Sequence, residues 1–115
     1  MQLHHAQIAI PAGGENQARM FWIDIIGFSE IPKPESLASR GGLWIRDGDA
    51  EIHIGVETPF AAARKAHPGI VVDDLDRLEQ RLGWAGYETT ADVPIYGMRR
   101  FHVSDPFGNR IEFLG

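Results

Sequence analysis

The sequence predicts an α+β fold in which two βαβββ modules form one curved eight-stranded sheet, with the helices on its outer face. In both halves of the chain, apolar residues show the same order of periodicities: strand, helix, then three strands. Gly27 and Gly86, which end the two predicted helices, are separated by as many residues as His53 and Glu112 on the last strands. Each half alone is too small to bury a sheet, so the two halves are expected to combine.

The first module is predicted to cover residues 1–60. Residues 4–10 alternate between apolar and polar side chains, as a strand does. Glu15 suits the positive end of a helix dipole, and the helix that follows carries one apolar stripe, made of Ala18, Phe21, Trp22, Ile25 and Ile26. The rest of the module is predicted as an extended segment from Phe28, a loop at 32–42 and strands at 43–46 and 50–56.

The second module is predicted to cover residues 61–115 and to repeat this order. A strand at 67–72 leads to Asp73 and Asp74, which can cap a helix with the apolar stripe Leu75, Leu78 and Leu82. The remaining elements are an extended segment from Tyr87, a loop at 93–97, a strand at 98–104, a turn at 105–109 and a strand at 110–114.

Composition limits the functional classes that the chain can belong to. With 43% apolar and 23% charged residues, the chain reads as a single globular domain over 1–115. A net charge of −5 without basic runs argues against nucleic acid as a partner. No apolar run is long enough for a signal peptide or membrane span, so we expect a cytoplasmic protein without membrane partners. Because there are no cysteines, a metal would need His, Asp or Glu ligands.

Strand alternation places four potential metal ligands on the inner face of the predicted sheet: His5, His53, His67 and Glu112. Three imidazoles and a carboxylate suit one divalent ion such as Zn, Ni, Co, Fe or Mn. Such a cation would also offset the cost of burying Glu112. Two interpretations of His53 stay open, since it is either the fourth ligand or an uncoordinated base or substrate contact. The alternative for the whole set is a water-filled cavity lined by hydrogen-bonded histidines.

Further candidates share the inner face or its rim. His102 is predicted to face the cavity as a second catalytic residue, either supporting a ligand or carrying a proton. Trp44 would form an aromatic wall for the substrate, and Arg100 would bind an anionic group through its planar donors. Tyr96 lies in a loop that would cover the mouth of the cavity. The alternatives are ordinary packing for Trp44 and a plain surface position for Tyr96.

Four segments resemble the vicinal oxygen chelate superfamily: LHHAQIAIP, EIHIGVE, AHPGIVVDDLDRL and SDPFGNRIEF. This superfamily includes glyoxalase I, extradiol dioxygenases, fosfomycin-resistance thiol transferases and bleomycin-binding proteins, and the resemblance covers essentially the whole chain. It implies the paired βαβββ fold, with metal ligands on the first and last strands of each module. Position by position, these are His5, His53, His67 and Glu112. Glyoxalase I usually has a glutamate, the expected base, where this chain has His53.

The resemblance implies a metal-dependent lyase or isomerase of glyoxalase type that acts on a small oxygenated substrate. One alternative is an Fe(II) ring-cleaving dioxygenase of extradiol type, with His53 uncoordinated and His102 or Tyr96 as the acid-base partner. A thiol transferase acting on an anionic antibiotic would use a similar ligand trio, although the chain shows no basic cluster dedicated to a phosphonate. The third hypothesis is a non-catalytic ligand-binding or resistance protein. The resemblance also implies a homodimer, and in some relatives the paired modules come from different subunits.

Overall fold

The computed structural model describes all 115 residues and contains two compact units, Met1–Ala62 and Ala63–Gly115. Each unit contributes one strand, one main helix and three further strands, so the α+β class with two βαβββ modules is confirmed. The first unit contains β1 (Ala6–Ile10), α1 (Glu15–Arg19) continued by a π-helix (Met20–Ile26), β2 (Ser29–Ile31), a 3₁₀ helix (Glu35–Arg40), β3 (Leu43–Asp47) and β4 (Ala50–Val56). The second contains β5 (Gly69–Val71), α2 (Leu75–Trp84), β6 (Thr89–Ile95), β7 (Met98–Ser104) and β8 (Arg110–Leu114).

The two units have the same sheet topology. The strand order is β1-β4-β3-β2 in the first sheet and β5-β8-β7-β6 in the second. In each, the first strand pairs in parallel with the last strand, and the other pairs are antiparallel. The register places Gln7 beside His53 in one sheet and Gly69 beside Glu112 in the other. The beginning and the end of each module therefore lie next to one another.

The helix of the first unit differs from the regular helix that its apolar stripe predicts. It is α-helical to Arg19 and then widens into a π-helix, in which the Gly27 amide donates to the Trp22 carbonyl, five residues back, at 3.1 Å. Because of this wider turn, Ile25 is only half-buried, whereas Phe21 and Trp22 are fully enclosed. Gly27 ends the helix with φ at 108°, in the left-handed region, as predicted.

The helix of the second unit matches its prediction. Asp74 caps it by accepting a hydrogen bond from the Arg77 amide at 3.0 Å. The predicted apolar stripe, Leu75, Leu78 and Leu82, is buried. It adds to a core to which the sheet contributes Phe101, Val103, Ile111 and Phe113.

The closing turn is tied together by one buried carboxylate. Asp105 accepts hydrogen bonds from the amides of Phe107 at 2.9 Å and Asn109 at 2.8 Å, and from the Asn109 side chain at 2.8 Å. Burial raises the pKa of Asp105, and the hydrogen bonds from Asn109 oppose that rise. Asn109 Oδ1 in turn accepts from the Ala63 amide at 3.0 Å, and the Ala63 carbonyl accepts from the Arg110 amide at 2.8 Å. The start of the second unit is thus fastened to the turn that precedes β8.

Three boundaries differ from the sequence prediction. β1 begins at Ala6, after both histidines, and β5 covers only Gly69–Val71. The predicted loop at 93–97 is wrong, since β6 runs to Ile95 and only a tight turn separates it from β7. Pro94 does not stop β6 because this strand lies at a sheet edge and its pairing with β7 shifts register between Asp92 and Ile95, so that Pro94 has no partner in the ladder. None of the helices has the length and apolar character needed to cross a lipid bilayer.

Candidate functional site

The second unit brings two imidazoles and a carboxylate together. His67 lies just before β5, while His102 on β7 and Glu112 on β8 are direct cross-strand partners. Glu112 Oε2 is 3.2 Å from His67 Nε2, and Glu112 Oε1 is 3.7 Å from His102 Nε2. One candidate ligand atom from each residue lies within 4.8 Å of the others. His67 and Glu112 were predicted as ligands, and His102 was predicted beside them in a supporting or proton-carrying role.

The hydrogen bonds of His67 decide which of its nitrogens can bind an ion. His67 Nδ1 is 2.8 Å from the Lys65 carbonyl oxygen, which can only accept, so Nδ1 carries the proton. In the neutral ring, the Nε2 lone pair then faces Glu112 Oε2, another acceptor, at 3.2 Å. Two lone pairs at this distance repel each other unless a proton or a metal ion lies between them. With ligands at about 2.1 Å, neighbouring donors around an ion are about 3.0–3.4 Å apart, so this pair fits a divalent metal.

His102 belongs to the same cluster, and its lone pair is engaged by Arg110, which a metal ion would have to displace. The Arg110 guanidinium donates to His102 Nε2 at 3.0 Å, which makes this nitrogen an acceptor. Burial lowers the pKa of His102, the neighbouring Arg110 lowers it further, and Glu112 opposes the shift. The ring is thereby favoured in the neutral form that binds metals.

Arg100 gives Glu112 a cationic partner within the protein. Its Nη1 donates to Glu112 Oε1 at 2.6 Å, its Nη2 lies 3.0 Å from Asp92 Oδ2, and its Nε donates to the Val93 carbonyl at 2.7 Å. Although burial raises the pKa of Glu112, hydrogen bonds from Arg100 and His67 bring it below the usual value. Arg100, predicted as a substrate contact, therefore lies against the carboxylate and holds it ionised.

The first unit contains a stack of rings around His53. The His53 ring is parallel to the Trp44 indole, with centroids 3.8 Å apart and planes 2° apart, and it stacks on His5 at 3.8 Å and 15°. His5 Nδ1 is also 2.9 Å from His4 Nδ1, and His5 is exposed whereas His53 is 6% exposed. Burial, followed by the neighbouring His53 and His4, lowers the pKa of His5. His53 and Trp44 thus share one face, as predicted.

The nearly parallel rings of His5 and His53 restrict what they can bind together. An imidazole lone pair lies in the plane of its ring, and a metal at about 2.1 Å must lie close to that plane. A point midway between two parallel rings 3.8 Å apart lies well out of both planes. In this arrangement, the two side chains do not direct lone pairs at one ion.

Glu51 is a site residue that the sequence reasoning missed. Its Oε1 is 2.8 Å from His53 Nε2, and its Oε2 accepts from the Arg46 guanidinium at 2.5 and 3.1 Å. Hydrogen bonds from Arg46 and then from His53 lower the pKa of Glu51 to about 2, so the carboxylate is ionised and acts as an acceptor. His53 Nε2 therefore carries a proton, and in the neutral ring Nδ1 holds the lone pair. Strand alternation could have revealed Glu51, because it lies two residues before His53 on the same face.

Each unit also has an open pocket beside its cluster. The pocket of the first unit has a volume of about 470 Å³ and includes His5, Trp44 and His53 in its lining. The pocket of the second unit has a volume of about 790 Å³ and includes His102 and Arg110. Tyr96, predicted to cover a cavity, is fully exposed at the turn between β6 and β7 and lines neither pocket.

Comparison with solved structures places the chain among glyoxalase-like proteins. A protein of Bacillus anthracis assigned to the glyoxalase family is 48% identical, with a TM-score of 0.94 over 99% of this chain and 93% of that one. A glyoxalase/bleomycin resistance protein of a Streptomyces species is 20% identical, with a TM-score of 0.69 over 96% and 99%. The fosfomycin resistance protein FosX of Listeria monocytogenes is 16% identical, with a TM-score of 0.75 over 100% and 90%.

No protein-family model and no curated protein matches the chain. The two more distant structures agree in fold, and the Bacillus anthracis protein is similar enough to settle the family. The predicted resemblance is confirmed: the chain belongs to the glyoxalase/bleomycin resistance/dioxygenase superfamily and has the vicinal oxygen chelate fold.

Proposed function

We propose that the protein is a divalent-metal-dependent enzyme, a lyase or isomerase of glyoxalase type that acts on a small oxygenated substrate. His67 and Glu112 are the anchors of the metal in this proposal. The predicted set adds His5 and His53 to them, whereas the cluster of the second unit adds His102. The single observation that carries the proposal is the position of His67 Nε2, 3.2 Å from a carboxylate oxygen of Glu112, while Nδ1 of the same ring lies against the Lys65 carbonyl.

The side chains of this protein fit the two tasks of such an enzyme, which are to hold a metal and to move a proton. A bound divalent ion would supply a Lewis acid that polarises the substrate oxygens. The Lys65 carbonyl orients His67 for binding an ion, and Arg100 keeps Glu112 ionised. His53, held by Glu51 through Nε2, offers Nδ1 as the acceptor for a proton. Since the His5 and His53 rings lie parallel, we favour His53 as a base over His53 as a ligand.

The experiment is metal analysis of protein purified without added metal or chelator. We expect about one equivalent of zinc, nickel or cobalt in the wild type, and its loss in His67→Ala and Glu112→Ala. A loss of metal in His5→Ala or in His102→Ala identifies the imidazole that completes the ligand set. We expect His53→Ala to retain the metal. Asp24→Ala, at an exposed carboxylate outside both sets, is the control. A wild type that stays metal-free even after loading with Zn, Ni, Co, Fe and Mn in turn would refute the proposal.

A second candidate is an Fe(II) ring-cleaving dioxygenase. It is favoured by the composition of the second unit's cluster, since two histidines and one carboxylate are the facial set of non-haem iron oxygenases. Purified protein would then contain iron and consume oxygen with a catechol. Stoichiometric zinc, nickel or cobalt without oxygen uptake would instead support the lyase or isomerase.

A third candidate is a protein that binds its ligand without turnover. A Streptomyces antibiotic binding protein, TnmS3, has the same fold at 21% identity, with a TM-score of 0.72 over 99% of this chain and 97% of that one. Metal-free protein that still binds a small molecule would support this candidate. The single-domain organisation over 1–115, the homodimer and the cytoplasmic location remain predictions. Light scattering on the purified chain would test the homodimer.

A further inference from the structure

We propose that the pocket of the first unit binds a small organic anion with a flat apolar body, such as an aromatic or enolic carboxylate. This names the substrate class of the proposed enzyme, and it rests on the proposed function only in taking His53 as the neighbouring base. The pocket has a volume of about 470 Å³, which suits a molecule of this size.

The charges around this pocket are of one sign. The first unit has four Lys and Arg residues, and two of them are neutralised, Arg19 by Glu30 and Arg46 by Glu51. The other two, Lys33 and Arg40, both line the pocket, and neither forms an ion pair. No carboxylate lines it. In a chain of net charge −5, two unpaired cations on one concave surface attract an anion.

Lys33 is held in place as part of the pocket wall. It is half-buried, and its ammonium group donates to the Gly41 carbonyl. The nearby Glu15 does not line the pocket, and its carboxylate accepts from the Gly42 amide at 3.4 Å. A partly desolvated ammonium that has only a carbonyl partner gains most from a charged acceptor, which a ligand carboxylate would provide.

The apolar part of the lining is built around one indole ring. Trp44 stacks face to face on His53, which covers one face of the indole, and Trp44 lines the pocket together with the aliphatic side chains of Leu37 and Val56. A flat apolar ligand packs against an aromatic ring of this kind. The pocket of the second unit lacks this charge pattern, because Arg64 and Arg110 share its lining with Glu88 and Asp105.

The test compares benzoate with its neutral isostere benzamide on full-length, metal-stripped protein. Binding is measured by calorimetry and by ¹H–¹⁵N NMR. We expect benzoate to bind at least about fivefold more tightly than benzamide, as two exposed ion pairs would give. The shifted NMR signals should centre on Trp44 and His53, and higher salt should weaken benzoate alone.

The variants assign the effect to the two cations. Arg40→Gln, at an exposed position without a partner, and the double variant with Lys33→Gln should remove the preference for benzoate. Arg77→Gln with Arg81→Gln, the same change of charge on α2, should retain it. Equal binding of the two compounds, no binding of either, or an equal loss in the α2 control would overturn the proposal. Metal content is measured on the same variants, so failure of the anion site is separable from failure of the proposed metal enzyme.

Discussion

Replacing Gly69 by alanine should weaken metal binding without weakening the fold. Gly69 lies beside Glu112 in the parallel pair of β5 and β8, and a Cβ at Gly69 would lie 3.2 Å from Glu112 Oε2. This is tighter than an ordinary contact, so the carboxylate must move by a few tenths of an ångström. Metal sites tolerate ligand displacements of about 0.2 Å, so the shift should be felt directly.

We expect Gly69→Ala to lower the affinity for zinc about tenfold, or about 1.4 kcal/mol, as for other residues that orient a ligand. The free energy of unfolding should stay within about 1 kcal/mol of wild type, because alanine lowers the conformational entropy of the unfolded chain. The other contact of the added Cβ, with Leu114 Cδ1 at 3.5 Å, is an ordinary van der Waals contact. Calorimetric titration of metal-free protein with zinc gives the affinity, and urea denaturation gives the stability.

Gly83→Ala on α2 is the matched control, since nothing lies within 4 Å of the added Cβ. It should leave zinc affinity unchanged and raise stability by about 0.5–1 kcal/mol. If Gly69→Ala binds zinc as the wild type does while Glu112→Ala does not, the Glu112 carboxylate does not bind the metal from its position beside Gly69.

The remaining predictions concern orientation and stability. Glu51→Ala removes the acceptor of the His53 Nε2 proton, so the His53 ring should change from one fixed tautomer to two tautomers in exchange. Long-range ¹H–¹⁵N NMR detects this change, and an unchanged spectrum would contradict the role of Glu51. Asp105→Ala removes the side-chain hydrogen bonds of the closing turn and should cost about 2–4 kcal/mol in urea denaturation; a loss below about 1 kcal/mol would show that water replaces them. Gly42→Ala puts a Cβ 2.0 Å from a β4 carbonyl oxygen at φ +74°, so thermal unfolding should show a loss of about 3 kcal/mol or more, against about 1 kcal/mol for Gly48→Ala, where nothing lies within 4 Å.

Much of the fold could be predicted because the two halves repeat the same periodicity. The alternation of apolar and polar residues correctly predicted which side chains share a face of a strand. Ile52 and Ile54 of β4 are both buried, and so are Ile111 and Phe113 of β8. Helical spacing found the leucine stripe of α2. The π-helix of the first unit was not predictable from its apolar stripe, because the stripe follows α-helical spacing and carries no signal for a wider turn. The continuation of β6 through Pro94 depends on its edge position, which is set by tertiary pairing.

The candidate site was only partly predictable because a face assignment says nothing of partners. Alternation located Glu112 but could not show that Arg100, on the neighbouring strand, donates to it at 2.6 Å. Nor could it show that the ring of His5 lies flat on that of His53, since rotamers decide this. Glu51 shares the face of His53, but alternation does not show that its carboxylate lies 2.8 Å from the imidazole, since side-chain rotamers decide this as well.

The two hydrogen bonds of the Ala63 backbone limit how far along the chain an insertion or deletion changes the structure. The Ala63 amide is bonded to Asn109 of the closing turn and its carbonyl to Arg110, the first residue of β8, so a change of length in the preceding segment need not move the residues after Ala63. Insertions or deletions within 57–62 would alter the tether between the two units while leaving the strand registers of the second sheet unchanged. Tether length can therefore diverge among homologues without selection for compensating changes around His67 and Glu112.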